Sequence, residues 1–186
     1  MRKLLLQVQT TVDGYMGGPA GEMDWMSFNW SPDVGNYITA MTADVDTIVL
    51  GRKLAEGFIP VWESRPEHED DKTIDWMINT PKVVISKSLT ESPWANATVA
   101  NGDIAETIKN LKAEPGGDLI AYGGSTLVTS LIAANLIDEL HLFVNPVAIG
   151  AGIPVFAAGA YTPLRQVAAT PFECGITALH FAPKES

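Results

Sequence analysis

Three short apolar runs in the middle of the chain, Thr47–Leu50, Lys82–Ser86 and Asp118–Tyr122, are separated by stretches of helical character. Runs of this length that stop at a turn residue read as buried strands, and strands alternating with helices imply parallel crossovers. Between them, Asp103–Ala113 places Ile104, Ile108 and Leu111 on one helical face, and Pro115-Gly116-Gly117 ends that helix. Ser125–Asn135 is a second helix, entered through Gly123-Gly124. Arg52–Asn79 looks helical at both ends and is charged and proline-containing between them, and Ala97–Ala100 reads as another strand.

The flanks complete the pattern. Lys3–Val12 is a strand ending at the Asp13-Gly14 turn, and Tyr15–Trp30 reads as a long loop. Ser31-Pro32-Asp33 starts a helix that runs to about Ala43, with Ser31 as N-cap and Pro32 in the first turn. Glu139–Asn145 alternates as a strand, and short β pieces follow around Val155, Gln166 and Thr177. The expected fold is a single α/β domain over residues 1–186, its mixed sheet mostly parallel and carrying antiparallel strands at one side.

Charge narrows the partners. Twenty-two acidic residues against twelve Lys and Arg give a net charge of −10, which argues against nucleic acid. The N-terminal Arg2-Lys3-Leu4-Leu5-Leu6 turns polar at Gln7 and Gln9, too soon for a signal-peptide core. No apolar run approaches the ~20 residues that span a bilayer. A cytoplasmic protein without a membrane partner is expected.

Three strand ends carry suggestive residues: Gly51-Arg52-Lys53, Ser86-Lys87 and Gly123-Gly124-Ser125-Thr126. Ligands of open α/β sheets bind beyond the carboxyl ends of parallel strands. A Gly-Gly turn lets backbone approach a ligand closely, and a helix opening at Ser125 offers free N–H groups to a phosphate. Each motif alone is also ordinary turn chemistry. Together they set three of twelve cations at one edge, a positive rim suited to the 2′-phosphate of NADP.

No catalytic triad or metal site is expected. His68 lies in an acidic run, His141 alternates with Leu140 and Leu142 as a solvent-facing strand residue, and Cys174 is the single cysteine. Trp25, Phe28 and Trp30 either line a slot for a flat substrate or pin the loop to the body. Asp13, Glu22, Asp24, Asp33 and Glu56 are the carboxylates near such a slot in sequence.

Across almost its whole length the chain resembles the dihydrofolate reductase-like superfamily. It is most similar to stand-alone relatives of the reductase domain of the riboflavin-biosynthesis deaminase-reductase. The carrying segments are Thr11–Tyr15, Asp46–Lys53, Pro81–Lys87 and Asp118–Leu127, the last leading through Leu136–Leu140 to Asn145–Gly152. The resemblance implies a sheet of about eight strands flanked by helices, a homodimer, and NADPH across the carboxyl ends. Gly51, Arg52 and Lys53 would meet the adenine-side phosphates, and Ser86 and Lys87 the 2′-phosphate. Gly123, Gly124, Ser125 and Thr126 would hold the pyrophosphate, with Leu127 beside them. Val12 and the loop from Met16 to Trp25 would border the nicotinamide.

On the substrate side, Asp33 is the candidate for the pterin-binding carboxylate of the first helix. The positions that carry ribose-phosphate cations in riboflavin-pathway reductases are here Gln7, Gly35 and Asn36, all uncharged. The expectation is an NADPH-dependent reductase of a small pterin- or pyrimidine-like substrate, related to 5-amino-6-(5-phosphoribosylamino)uracil reductase. The alternatives are a nucleotide-binding sensor without turnover and a dihydrofolate reductase proper.

Overall fold

β1 (Leu4–Thr11) lies near the middle of an eight-stranded sheet, between strands that arrive more than a hundred residues later. A computed structural model of the protein describes residues 1–26, 29–67 and 69–184, so the expectations for Phe28 and His68 fall outside the described residues. The sheet order is β5 (Ala97–Ala100), β4 (Lys82–Ile85), β3 (Val45–Gly51), β6 (Asp118–Ala121), β1, β7 (Glu139–Asn145), β10 (Thr177–Pro183) and β9 (Leu164–Pro171). Neighbours from β5 to β7 pair in parallel, and β10 and β9 continue antiparallel. This is the expected single α/β domain with a mostly parallel sheet.

The loop expected over Tyr15–Trp30 contains one short strand, β2 (Tyr15–Gly17), which pairs with β8 (Ile153–Pro154). Its partner lies more than 130 residues away, so no local pattern announces the pairing. Gly152 makes it possible, because a Cβ there would lie 2.2 Å from the Gly17 carbonyl oxygen.

Among the described residues, five helices cover the sheet. On one face, α4 (Ile104–Ala113) and α5 (Ser125–Ala133) bury Ile108, Leu127, Val128 and Leu131 against Leu4, Leu6 and Val8. Asp103 caps α4 by accepting from the N–H groups of Ala105 and Glu106.

On the other face the core is split. α2 (Arg52–Glu63) and α3 (Asp71–Asn79) pack over β3, β4 and β6 with Leu5. α1 (Pro32–Met41) packs through Val34 and Tyr37 on Phe143, Phe172 and Ala178. Alternation places Gln7, Gln9 and Thr11 on the same face as Leu5, between the two clusters. A polar stripe therefore runs along β1 where the apolar packing is interrupted.

Glu139–Asn145 does not alternate in burial: Leu140, His141, Leu142 and Phe143 are all buried. β7 sits between β1 and β10 with packing on both faces, so His141 faces the interior and not solvent. No helix among the described residues is long and apolar enough to cross a membrane.

Candidate functional site

Register brings the predicted strand ends to one edge. Gly51 pairs with Ile85, which sets Ser86 one residue beyond it. Val49 pairs with Ala121, and that register carried on two residues puts Gly123 level with Gly51. Ser86-Lys87, Gly51–Lys53, Gly123–Thr126 and Val12 thus stand at the carboxyl ends of four adjacent parallel strands, β4, β3, β6 and β1.

Two helices open at this edge without side-chain caps. α2 begins after Gly51 and α5 after Gly124, and neither N-cap residue supplies a side-chain acceptor. Their first-turn N–H groups are available to an anion, with the helix dipoles favouring negative charge.

Gly123 and Gly124 have φ of 110° and 83°, which L side chains rarely adopt. Gly123 is buried, yet a Cβ built on it meets nothing within 4 Å. This is a backbone cradle with room above it.

The sheet is notched at the same place. β6 ends its pairing with β1 at Leu6–Ala121, whereas β1 continues beside β7 to Thr11–Asn145. The Lys3 carbonyl accepts from Leu119 of β6, while the Leu4 carbonyl accepts from Asp138 on the β7 side. Alternation therefore turns the Gln7 carbonyl and the peptide groups of Gln9 toward β6, into the notch, beyond the last paired residue of that strand.

The Gln9 side chain adds an amide there. Its Oε1 accepts from Asn145 Nδ2 at 2.9 Å, while its Nε2 is buried without a partner. Buried donors are rarely left unpaired, so the orphan amide is a place where a ligand acceptor fits. Sequence reasoning missed Gln9 and Asn145. The available signal was a polar residue at alternate positions of an otherwise apolar first strand.

The charged residues are less free than their sequence positions imply. Arg52 donates to Glu56 Oε1 at 2.6 Å across one turn of α2. Glu56 thus stands at the same strand-end edge as Arg52, paired with it. The Ser86 hydroxyl accepts from the N–H groups of Ser88 and Leu89 and shapes the turn that displays exposed Lys87. Lys53 is exposed.

On the substrate side, Met16 is a core residue, packed in the cluster that includes Val155 and Leu127. Trp25 is half-buried with its indole N–H unpaired, and Trp30 is exposed. Asp33 accepts from Val34 N–H at 3.1 Å and from Glu173 N–H at 3.0 Å. With the Ser31 hydroxyl beside it, these bonds hold its carboxyl below the usual range. The carboxylate fastens α1 to the β9–β10 turn, and the Ser31 hydroxyl, accepting from Cys174 N–H at 3.1 Å, does the same.

The loop between β1 and β2 is clamped from the far side. Asp13 accepts from Gly150 N–H at 2.7 Å and from Ile149 N–H, while Val12 N–H donates to the Val147 carbonyl at 2.9 Å. These contacts set the entry to the Met16–Trp25 loop beside the notch.

The sequence model of the RibD C-terminal domain matches residues 2–178. The uncharacterized protein YyaP of Bacillus subtilis (strain 168) is 34% identical over 159 residues, 83% of this chain and 80% of that protein. Among solved structures, a Shewanella sp. PV-4 protein named for riboflavin biosynthesis superposes with a TM-score of 0.76 at 20% identity, covering 98% of this chain and 99% of that one. Enterococcus faecalis dihydrofolate reductase, complexed with NADP(H), gives 0.67 at 17% identity over 98% of this chain and 97% of its own.

Proposed function

The chain belongs to the RibD C-terminal domain family, and from that premise we propose that it is an NADPH-dependent reductase of a small pterin- or pyrimidine-like substrate. The observation that carries this reading is the coincidence of the notch beside β1 with two uncapped helix N-termini at adjacent strand ends.

The donor set fits a nicotinamide dinucleotide. The N–H groups opening α5 at Ser125 and Thr126 would take the pyrophosphate over the Gly123-Gly124 cradle, with Leu127 packed beneath. The opening of α2, with Arg52 and Lys53, would meet the adenine-side phosphates, the 2′-phosphate among them. Lys87, displayed by the Ser86 turn, would face the 2′-phosphate. The Gln7 carbonyl, the peptide groups of Gln9 and the orphan Gln9 amide would hold a carboxamide in the notch.

NADPH supplies hydride when bound; the chain positions the ring and excludes water. Val12 and the clamped loop leading to Trp25 and Trp30 would close over the notch, leaving a flat substrate between this loop and α1. The α1 positions that the resemblance matches to ribose-phosphate cations, Gly35 and Asn36, carry no charge. The reading therefore favours a substrate without a phosphate.

Titration with NADPH and NADH, followed by an NADPH-oxidation screen of pterins, pyrimidines and quinones, tests the proposal. Tight NADPH binding and oxidation by one of these classes is expected. Absence of NADPH binding overturns the cofactor assignment, and saturable binding without any turnover would favour a nucleotide-binding sensor instead.

A further inference from the structure

On the other side of β1 from β6, β7 and β10 bring together three groups that the proposed reductase site does not use. His141 and His180 are directly paired across the antiparallel strands, their rings stacked at 4.1 Å with an interplanar angle of 16°. Glu139, two residues before His141 on β7, turns Oε2 toward both rings, 3.6 Å from His141 Nε2 and 3.4 Å from His180 Nε2. We propose that Glu139 Oε2, His141 Nε2 and His180 Nε2 form a binding site for a divalent transition-metal ion of the zinc class.

The distances favour ligation over hydrogen bonding. At 3.4 and 3.6 Å the contacts are long for hydrogen bonds, and both Nε2 atoms are buried without a partner. Two ligand atoms ~2.0–2.1 Å from a tetrahedral ion lie ~3.3–3.4 Å apart. The three donor atoms fall within 4.8 Å of one another, and the stacked rings would have to tilt toward each other to share one ion.

The surroundings orient each ligand. The Tyr37 hydroxyl lies 2.9 Å from His141 Nδ1, so with Nδ1–H donating to it the Nε2 lone pair faces Glu139. Lys3 Nζ donates to Glu139 Oε1 at 2.8 Å and leaves Oε2 free. Lys3 and Arg165 are the cations that face the cluster. Two imidazoles and one carboxylate suit zinc, cobalt or nickel better than magnesium or calcium. A bound ion would bolt β7 to β10, and a fourth position would stay open to water.

The test is Co2+ titration of tag-free, chelator-treated full-length protein, followed by visible absorption. One equivalent with four-coordinate d–d bands, displaced by Zn2+, is expected, together with a higher melting temperature in Zn2+. His180→Ala and Glu139→Gln should each weaken binding by more than the ~10–100-fold that loss of an outer-shell partner costs. Tyr37→Phe should fall within that range, and Glu139→Gln should leave NADPH binding unchanged. Should His180→Ala fail to fold, Glu139→Gln, nearly isosteric and partly exposed, gives the same reading. No Co2+ binding by the folded wild-type protein, or binding that persists unchanged in Glu139→Gln, overturns the proposal.

Discussion

Arg52 and Glu56 form an ion pair one turn apart at the start of α2, so the cation at the phosphate edge arrives already partnered. If Arg52 serves the phosphates, Glu56 competes for it. Glu56→Gln should tighten NADPH several-fold and leave NADH nearly unchanged. Arg52→Ala should weaken NADPH by ~10–100-fold, the loss of one charge-assisted bond worth ~1.5–3 kcal/mol. Fluorescence titration of both cofactors measures this, and parallel losses for NADH and NADPH would refute the assignment to the 2′-phosphate side.

Gly123→Ala should abolish tight NADPH binding while the protein still melts cooperatively. The added methyl meets no protein atom within 4 Å but enters the cradle over which the pyrophosphate would lie. Backbone strain from the positive φ costs ~1–2 kcal/mol. Gly159→Ala, also at positive φ with open space around it, is the matched control and should bind normally. Equal NADPH affinity in the two variants would place the phosphates elsewhere.

Asp33→Asn should lower the melting temperature and leave kcat unchanged, because Asp33 fastens α1 to the β9–β10 turn. Its carboxyl is held below the ordinary value of 3.8 in the folded protein. The stability it adds is thus fully present above that value and lost as pH falls through the lower, folded-state value. Wild-type and variant melting curves should converge in acid. A large fall in kcat would restore Asp33 as a catalytic carboxylate.

Turnover of the ribosylaminopyrimidine phosphate should be weak or absent, and dihydrofolate reduction at most slow. Gln7, Gly35 and Asn36 offer no cation to a ribose phosphate, and both Asp33 oxygens accept backbone N–H groups. Steady-state assays of both substrates at saturating NADPH decide this. Efficient use of the phosphorylated pyrimidine would make the chain a pathway reductase.

Asp46→Ala should destabilise the protein by ~1–3 kcal/mol without changing cofactor affinity. The Arg2 guanidinium, buried at the amino edge of the sheet, donates to Asp46 and Thr47, and Asp46 also accepts from Gly117 N–H. Removing the carboxylate strips one charge-assisted bond from a buried cation, while partial exposure of Asp46 moderates the cost. Chemical denaturation measures the loss. A drop in NADPH affinity with no change in stability would contradict it.

Much of this architecture was legible because its signals are local. The apolar runs at Thr47–Leu50 and Asp118–Tyr122 end within one residue of the ends of β3 and β6, and the Gly123-Gly124 turn stands at the helix opening it foretold. What stayed hidden depends on partners distant in sequence. His141 reads as solvent-facing until β10 is known to lie beside β7 and α1 above it. Gln9 reads as a break in an apolar strand until the early end of β6 exposes its peptide edge. The Arg52–Glu56 pair lay within reach, since the spacing of four is itself a helical contact.

The placement of β1 also bears on how the chain assembles. Within this domain the first strand, β1, has β6 and β7 as its two neighbours, and neither exists until residues 118–145 have been made. Closing such long loops is entropically costly and slows folding. β1 must therefore wait, with its row of leucines unpaired, while β3 and β4 can already join. On the ribosome, compaction around β1 should register only once β7 has cleared the exit tunnel, which makes the early chain a natural client for a chaperone that shields apolar segments.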